Sequence, residues 1–412
     1  MMPHPDTRAA WVRLAVCMAL STIGGVSLWS VAVVLPAIQA DFGVDRGAAS
    51  LSYTATMLGF AFGSVLMGRL TDRFGLRRPT LVASVVLAAG FGLAALSGGL
   101  GTFALAQFLL IGMLGGAITF GPLMTHISFW FVRRRGFAMA LCACGSYFAG
   151  TIWPPILQHF IEADGWRATY AGVGLFCAAT MLPLALLLRG QPEAAEARGR
   201  GEGRATAVAL PPGMIQALLV LAGFACCVAM STPQVHIVAY CADLGYGPAR
   251  GAQMLSLMLA FGIVSRAGSG WLADRIGGLH TLLLGSVLQG VALLLYVQFS
   301  ALDSLYVISA LFGLFQGGIV PSYAVVIREL FPAREAGTRF GLVLMATMLG
   351  MAAGGWLAGA VDEWAGGYRA SFAIGLLWNA LNVAIVLSLL LRRRPRGEIL
   401  PGQGFSATLA QR

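Results

Sequence analysis

Apolar residues gather in twelve long runs, at approximately 12–36, 48–70, 79–99, 102–130, 136–160, 166–188, 213–241, 249–273, 279–300, 303–328, 337–361 and 368–391. Inside them the polar residues follow neither the alternation of a half-buried strand nor the one-sided stripe of a surface helix. A run of about 20 apolar residues crosses a hydrocarbon core of about 30 Å as a helix. Helix is also the form in which one segment satisfies all its own backbone groups where water is absent. The pattern predicts an all-α membrane protein with twelve transmembrane helices. Because the first run is followed by eleven others, it reads as a first span rather than a cleaved signal.

The longest interruption is Arg189–Gly213, RGQPEAAEARGRGEGRATAVALPPG. Rich in Gly, Ala, Pro and mixed charge, it cannot build a core and suits a flexible linker. It divides the chain into a six-helix bundle at 1–188, a linker at 189–212, a second bundle at 213–396 and a tail at 397–412. The two bundles repeat. GRLTDRFG at Gly68–Gly75 recurs as GWLADRIG at Gly270–Gly277, and GWRATYA at Gly165–Ala171 recurs as GYRASFA at Gly367–Ala373, both at an offset of 202. Duplicated six-helix units are associated with secondary transporters.

Composition sharpens this picture. The chain is 58% hydrophobic and 11% charged, against about 25% charged in an ordinary soluble domain. Its net charge of +10 comes from 27 arginines without a single lysine. With the N-terminus inside, 22 of them fall in cytoplasmic segments and four (Arg46, Arg167, Arg250, Arg369) outside. This is the bias of the positive-inside rule. It places both termini in the cytoplasm and makes a nucleic-acid partner unnecessary. The compact loops and arginine- and alanine-rich usage suggest a bacterial inner (plasma) membrane. The seven cysteines all lie in apolar runs and read as small packing residues. No metal-ligand spacing and no nucleophile–base motif occurs, so neither an enzyme nor a cofactor is expected.

The G-x-L-x-D-R-x-G pattern between spans two and three, repeated between spans eight and nine, resembles the major facilitator superfamily along the whole chain. That resemblance implies two pseudo-symmetric six-helix bundles around a central cavity and alternating access by rocking. Asp72 beside Arg73 and Asp274 beside Arg275 stand at cytoplasmic helix ends, where reversible ion pairs would latch one face shut.

One arginine belongs to neither side. Arg266, in FGIVSRAGSGWLADRIGG, lies eight residues before Asp274, which at about 1.5 Å per residue is roughly 12 Å into the membrane. Its repeat partner is Ser64, so the scaffold does not demand it. All 17 acids fall at span ends or in loops. A centrally placed arginine costs about 2.5–3.5 kcal/mol on insertion scales, and a charge-assisted bond contributes about 1.5–3 kcal/mol. An anionic substrate is thus a sufficient partner. A structural arginine bonded to carbonyls and hydroxyls is the other reading. An arginine in span eight resembles the monocarboxylate porter branch, which includes lactate and pyruvate carriers and oxalate:formate exchangers. Phe129–Gly145, FWFVRRRGFAMALCACG, also looks like that branch. The chain departs from it in three places. Gly262 stands where mammalian-type members carry an aspartate, Ala37 follows Pro36 where they carry a lysine, and no span-eleven lysine is present. A single cation suggests a monoanion, and Ser64 argues against nitrate porters.

Arginine does not release its proton in proteins, so proton coupling needs another group. His236 in span seven is the main candidate, with an unperturbed pKa near 6.5 for its type, and Asp243 follows at i+7. His126 is a weaker candidate, and His159 and His280 read as interfacial. Trp29, Ser27, Tyr147, Tyr323, Asn379 and Asn382 are candidate cavity-lining residues. The expected function is transport of a small lactate- or pyruvate-like monocarboxylate in symport with a proton. An organic-anion exchanger without proton coupling is the alternative. A multidrug-type efflux carrier would call for acids within the spans. Expected partners are the anion, a proton and the lipid bilayer.

Overall fold

The computed structural model describes residues 7–44, 46–188, 208, 210–365 and 368–393. Most of the expected linker and the whole of the expected tail lie outside the described residues. Twelve helices are long and apolar enough to cross a membrane: α1 Arg8–Leu35, α2 Leu51–Phe74, α3 Arg77–Ala95, α4 Leu100–Trp130, α5 Arg135–Asp164, α6 Trp166–Leu187, α7 Pro212–Ile237, α8 Gln253–Ile276, α9 Gly278–Gln298, α10 Leu302–Leu330, α11 Ala333–Ala358 and α12 Tyr368–Leu391. They match the twelve predicted runs. Several extend past the apolar limits because charged residues such as Arg8 and Arg77 continue the first turns of a helix. Leu175, Leu377 and Trp356 are among many large apolar side chains exposed on the outside. In water such a surface would drive aggregation; in a bilayer it meets its proper solvent.

Each half has its own buried polar core. In the first, Thr56 Oγ1 donates to Gln107 Oε1 (3.2 Å) and Gln107 Nε2 donates to Tyr170 OH (3.1 Å), tying α2, α4 and α6 together. In the second, Asn379 Nδ2 donates to Gln289 Oε1 (3.1 Å), and Gln289 Nε2 to the Cys226 carbonyl (3.4 Å). One turn away on the same helices, Asn382 Nδ2 donates to Ser286 Oγ (2.8 Å) and Tyr323 OH to Asn382 Oδ1 (3.0 Å). This ladder pins α7, α9, α10 and α12. Such bonds are retained because an unpaired polar group in hydrocarbon is costly.

Two helices are broken at repeat-related places. α10 consists of Leu302–Gln316 and Ile319–Leu330, interrupted at Gly317–Gly318. α4 passes from π-helical turns at Ala106–Gly115 to a short 3₁₀ segment at Gly116–Thr119 before resuming at Gly121. Gly115–Gly116 and Gly317–Gly318 are separated by the same 202 residues as the sequence repeats. Discontinuous membrane helices free backbone groups at mid-depth, and do so where they line a site.

The repeated motif joins the halves. Asp72 accepts the Gly337 and Thr338 amides (2.9 and 2.6 Å) and the Thr338 hydroxyl (2.7 Å) at the start of α11. Asp274 accepts the Gly136 and Phe137 amides (2.5 and 3.0 Å) at the start of α5. Each carboxylate therefore caps a helix N-terminus of the opposite half, where unsatisfied amides and the helix dipole favour an anion. This corrects the expected ion pairs with the adjacent arginines: Arg73 stacks on Phe74 (5.2 Å) and Arg275 on Trp271 (3.7 Å). The motif's first glycine lies one turn before each aspartate and makes the approach possible. A Cβ on Gly68 would sit 2.7 Å from the Gly337 carbonyl carbon, and one on Gly270 2.7 Å from the Gly136 oxygen. The closing glycines, Gly75 (φ 73°) and Gly277 (φ 87°), adopt the left-handed turn that ends each helix. The result is two seams, α2 against α11 and α5 against α8, both sealed at the motif end of the bundle.

Candidate substrate site

Arg266 sits in the α5–α8 seam, well inside the bundle and 6% exposed. Its Nε donates to the Gly317 carbonyl (3.2 Å), which the break in α10 sets free. Its Nη1 donates to the Ala143 carbonyl and to Ser146 Oγ (2.8 Å), both on α5. The guanidinium lies over the Tyr147 ring at 3.5 Å, and Phe120, at the α4 break, faces it at 5.8 Å. Among the described residues no carboxylate pairs with it.

A guanidinium has five N–H donors in one plane. Nε uses one and Nη1 uses two, which leaves both protons of Nη2. That group has no protein acceptor among the described residues. It is also not one of the sealed unpartnered atoms, as Ser27 Oγ and His126 Nδ1 are. The arrangement thus combines both readings of the sequence. Carbonyls and a hydroxyl hold the arginine in place, and one amino group is left over. Stacking on Tyr147 fixes the plane of the fork, and a fixed fork loses little entropy when it bonds a planar anion.

Gly262 explains a departure from the porter pattern. A Cβ there would come within 2.9 Å of the Tyr147 ring. An aspartate at this position would displace the ring that supports the arginine, so the Tyr147 stack and the acid exclude one another.

Of the other candidates, Trp29 is brought near: its indole lies on Gly150, one turn beyond Tyr147 along α5. Ser27 lies under Gly116 at the α4 break. Tyr323, Asn379 and Asn382 are not brought to this place. Tyr323 bonds Asn382, Asn382 bonds Ser286 and Asn379 bonds Gln289 inside the second half, all almost fully buried, so that in this state they clamp α9, α10 and α12. His236 donates or accepts on both sides within that half, with Gly355 O at 2.8 Å from Nε2 and Tyr368 OH at 3.1 Å from Nδ1. Because a carbonyl only accepts, Nε2 carries the proton and Nδ1 accepts from the tyrosine. Asp243 is exposed at the end of this helix and makes no bond to His236. His126 accepts from Trp130 Nε1 (3.1 Å) and is buried. Ser146, Ala143 and Phe120 were not expected from the sequence, and Gly317 reads there only as a packing and hinge glycine of span ten. The one signal that pointed to Gly317 was the glycine pair at the repeat offset.

A twelve-helix bundle of two repeated halves, with a charged residue held at the seam between broken helices, defines a membrane transporter. The family profile described as Major Facilitator Superfamily matches residues 16–305 and 269–410, and the chain belongs to that family. It is a transport protein, not an enzyme. Monocarboxylate transporter 13 of Bos taurus is 29% identical over 362 residues, covering 84% of this chain and 81% of the relative. The protein of the same name from Rattus norvegicus is 30% identical over 367 residues, covering 84% and 81%. Among solved structures, the transporter FucP in the outward conformation superposes with a TM-score of 0.74 at 15% identity, over 94% of this chain and 100% of that one.

Proposed function

We propose that the protein carries a small monocarboxylate, lactate- or pyruvate-like, across the cell's inner (plasma) membrane, with both termini and the motif end in the cytoplasm. The observation that carries this reading is the unused Nη2 amino group of a seam arginine that no acid among the described residues neutralises. Relatives named as monocarboxylate transporters support the same substrate class. With the motif end sealed by the Asp72 and Asp274 caps, the described state is closed to the cytoplasm. Transport then requires those caps, the gating elements of this reading, to open. Arg73 and Arg275 belong to the gate as neighbours that hold positive charge at the same helix ends.

Proton symport is the favoured coupling, with His236 as the titrating group. Protonation at Nδ1 would need only the Tyr368 hydroxyl to turn from donor to acceptor, so the contact can switch without moving a helix. Asp243, on the same face toward the outer end, is where a proton would enter. The second reading is organic-anion exchange without a proton. It is favoured by the distance in the fold between His236, held by α11 and α12, and Arg266, held by α5 and α10. The test is uptake of labelled lactate into proteoliposomes. Uptake driven by an inward proton gradient supports symport, whereas counterflow alone, indifferent to the gradient, supports exchange. No lactate or pyruvate flux in either mode would overturn the substrate class.

A further inference from the structure

The donors of Arg266 are divided between the two halves of the protein. A carboxylate binds a guanidinium with two parallel bonds along one of two edges, Nη1 with Nη2 or Nε with Nη2. Neither edge is free in the sealed state. The Nη1 edge is held by α5 of the first half, through the Ala143 carbonyl and Ser146 Oγ. The Nε edge is held by Gly317 of the arginine's own half. The two edges differ in what a ligand must break. Displacing Gly317 would open a bond within one half. Displacing Ser146 opens a bond between the halves.

These acceptors are also unequal. The Gly317 carbonyl is fixed by the backbone at the α10 break, where Gly318 N is itself bonded to Ser265 Oγ (3.1 Å). The Ser146 hydroxyl sits on a side chain that rotates, and its own proton reaches the Ala143 carbonyl at 3.0 Å. It is the acceptor that yields at least cost. We propose that Ser146 is a positioning residue whose hydroxyl occupies the arginine edge that the substrate carboxylate takes over, so that binding of the anion releases one of the two bonds by which Arg266 ties α8 to α5.

The location gives this exchange a consequence. The α5–α8 seam runs from the Asp274 cap, through Gly136 against Gly270, to Cys144 (Sγ 3.9 Å from the Ile263 carbonyl), Arg266 with Ser146, and Tyr147 over Gly262. Opening the motif end must part all of it. A ligand that substitutes for Ser146 loosens the seam only when it is present. That ties the opening to occupancy without a separate sensor.

The inference rests on Arg266 being the anion site, and the experiment separates the two. Lactate affinity is measured on the purified full-length chain for wild type, S146A, S146C, S146T and R266A. In parallel, maleimide labelling of Cys144 is read by peptide mass spectrometry with and without lactate. Cys144 is buried in the seam and labels only when it parts. In wild type, lactate should raise Cys144 labelling. In S146A and S146C, where the competing hydroxyl is gone, lactate should bind about threefold to tenfold tighter, the equilibrium equivalent of one hydrogen bond. Cys144 should then label strongly even without lactate. S146T, which keeps the hydroxyl, should behave as wild type. Unchanged or weaker lactate affinity in folded S146A and S146C, with labelling indifferent to lactate, would overturn the proposal while R266A still abolished binding. Wild-type lactate binding by R266A would instead overturn the site itself.

Discussion

Ser64 and Arg266 hold the same place in the two halves, 202 residues apart, and both reach across a seam. Ser64 Oγ lies 2.9 Å from the Gly341 carbonyl of α11, while also within reach of its own Ala61 carbonyl at 2.7 Å. Arg266 reaches the Ala143 carbonyl and Ser146 of α5. The first seam shows that closure needs one small donor. The second uses a residue with five donors and a permanent charge, and part of it is surplus to closure. His236 shows the same one-sidedness, since its repeat partner is Val34. The scaffold of this transporter is symmetric, and the groups that suit transport chemistry stand in the second half.

The most damaging way to break the comparison is to make the halves alike. R266S should leave a folded protein, monodisperse in detergent, because the first seam closes with serine alone. Labelled lactate uptake should fall at least about tenfold to a hundredfold, the loss of one charged hydrogen bond. Retained uptake would mean that the charge does not serve the substrate.

The seams should respond alike to crowding. G68V and G270V place side-chain atoms where opposing backbone already lies, and over-packing of this kind costs about 1–3 kcal/mol or more. Both should hold the motif end apart, raise Cys144 labelling and stop uptake. A variant that stays sealed would show that the glycine is not what permits the approach.

Removing the caps should be milder. D72A and D274A should each weaken closure by about 0.5–2 kcal/mol, with lactate still bound but turnover slowed. Loss of equilibrium lactate binding in folded D274A would contradict a gating role.

H236Q sharpens the functional side of the comparison. It should flatten the pH dependence of uptake while counterflow continues, and an unaltered pH profile would remove His236 from the coupling path. The smallest effect should come from Y323F, which removes one rung of the buried ladder. It should cost about 0.6 kcal/mol and leave the KM for lactate unchanged. A raised KM would return Tyr323 to the substrate site.

The number of helices, the repeat and the odd position of Arg266 were readable because each rests on a local property: apolar length, identity at a fixed offset, and a charge in an apolar run. What surrounds Arg266 was not. Its acceptors come from α5 and α10, 120 and 51 residues away in the chain, and two of the three are backbone carbonyls, which no residue type announces. Tyr323, Asn379 and Asn382 lie away from Arg266: polarity inside a span marks either a cavity or a clamp, and only the fold says which face a residue presents. The motif aspartates join the halves by a bond other than the expected ion pairs, since neighbouring arginines are visible in sequence and a helix N-terminus from the other half is not.

The unbalanced guanidinium also has an electrical meaning. With its site empty the protein holds a positive charge inside the membrane, and on the proposed reading a bound monoanion would cancel it. In exchange, where only the loaded form reorients, little net charge would then cross the field; in symport the proton on His236 would restore one positive charge to the loaded form, equal to that of the empty form. A full charge crossing 100 mV is worth about 2.3 kcal/mol. Membrane voltage would thus bear on both reorientations of a symporter alike and hardly at all on an exchanger, so the voltage dependence of the cycle would separate the two couplings through one side chain.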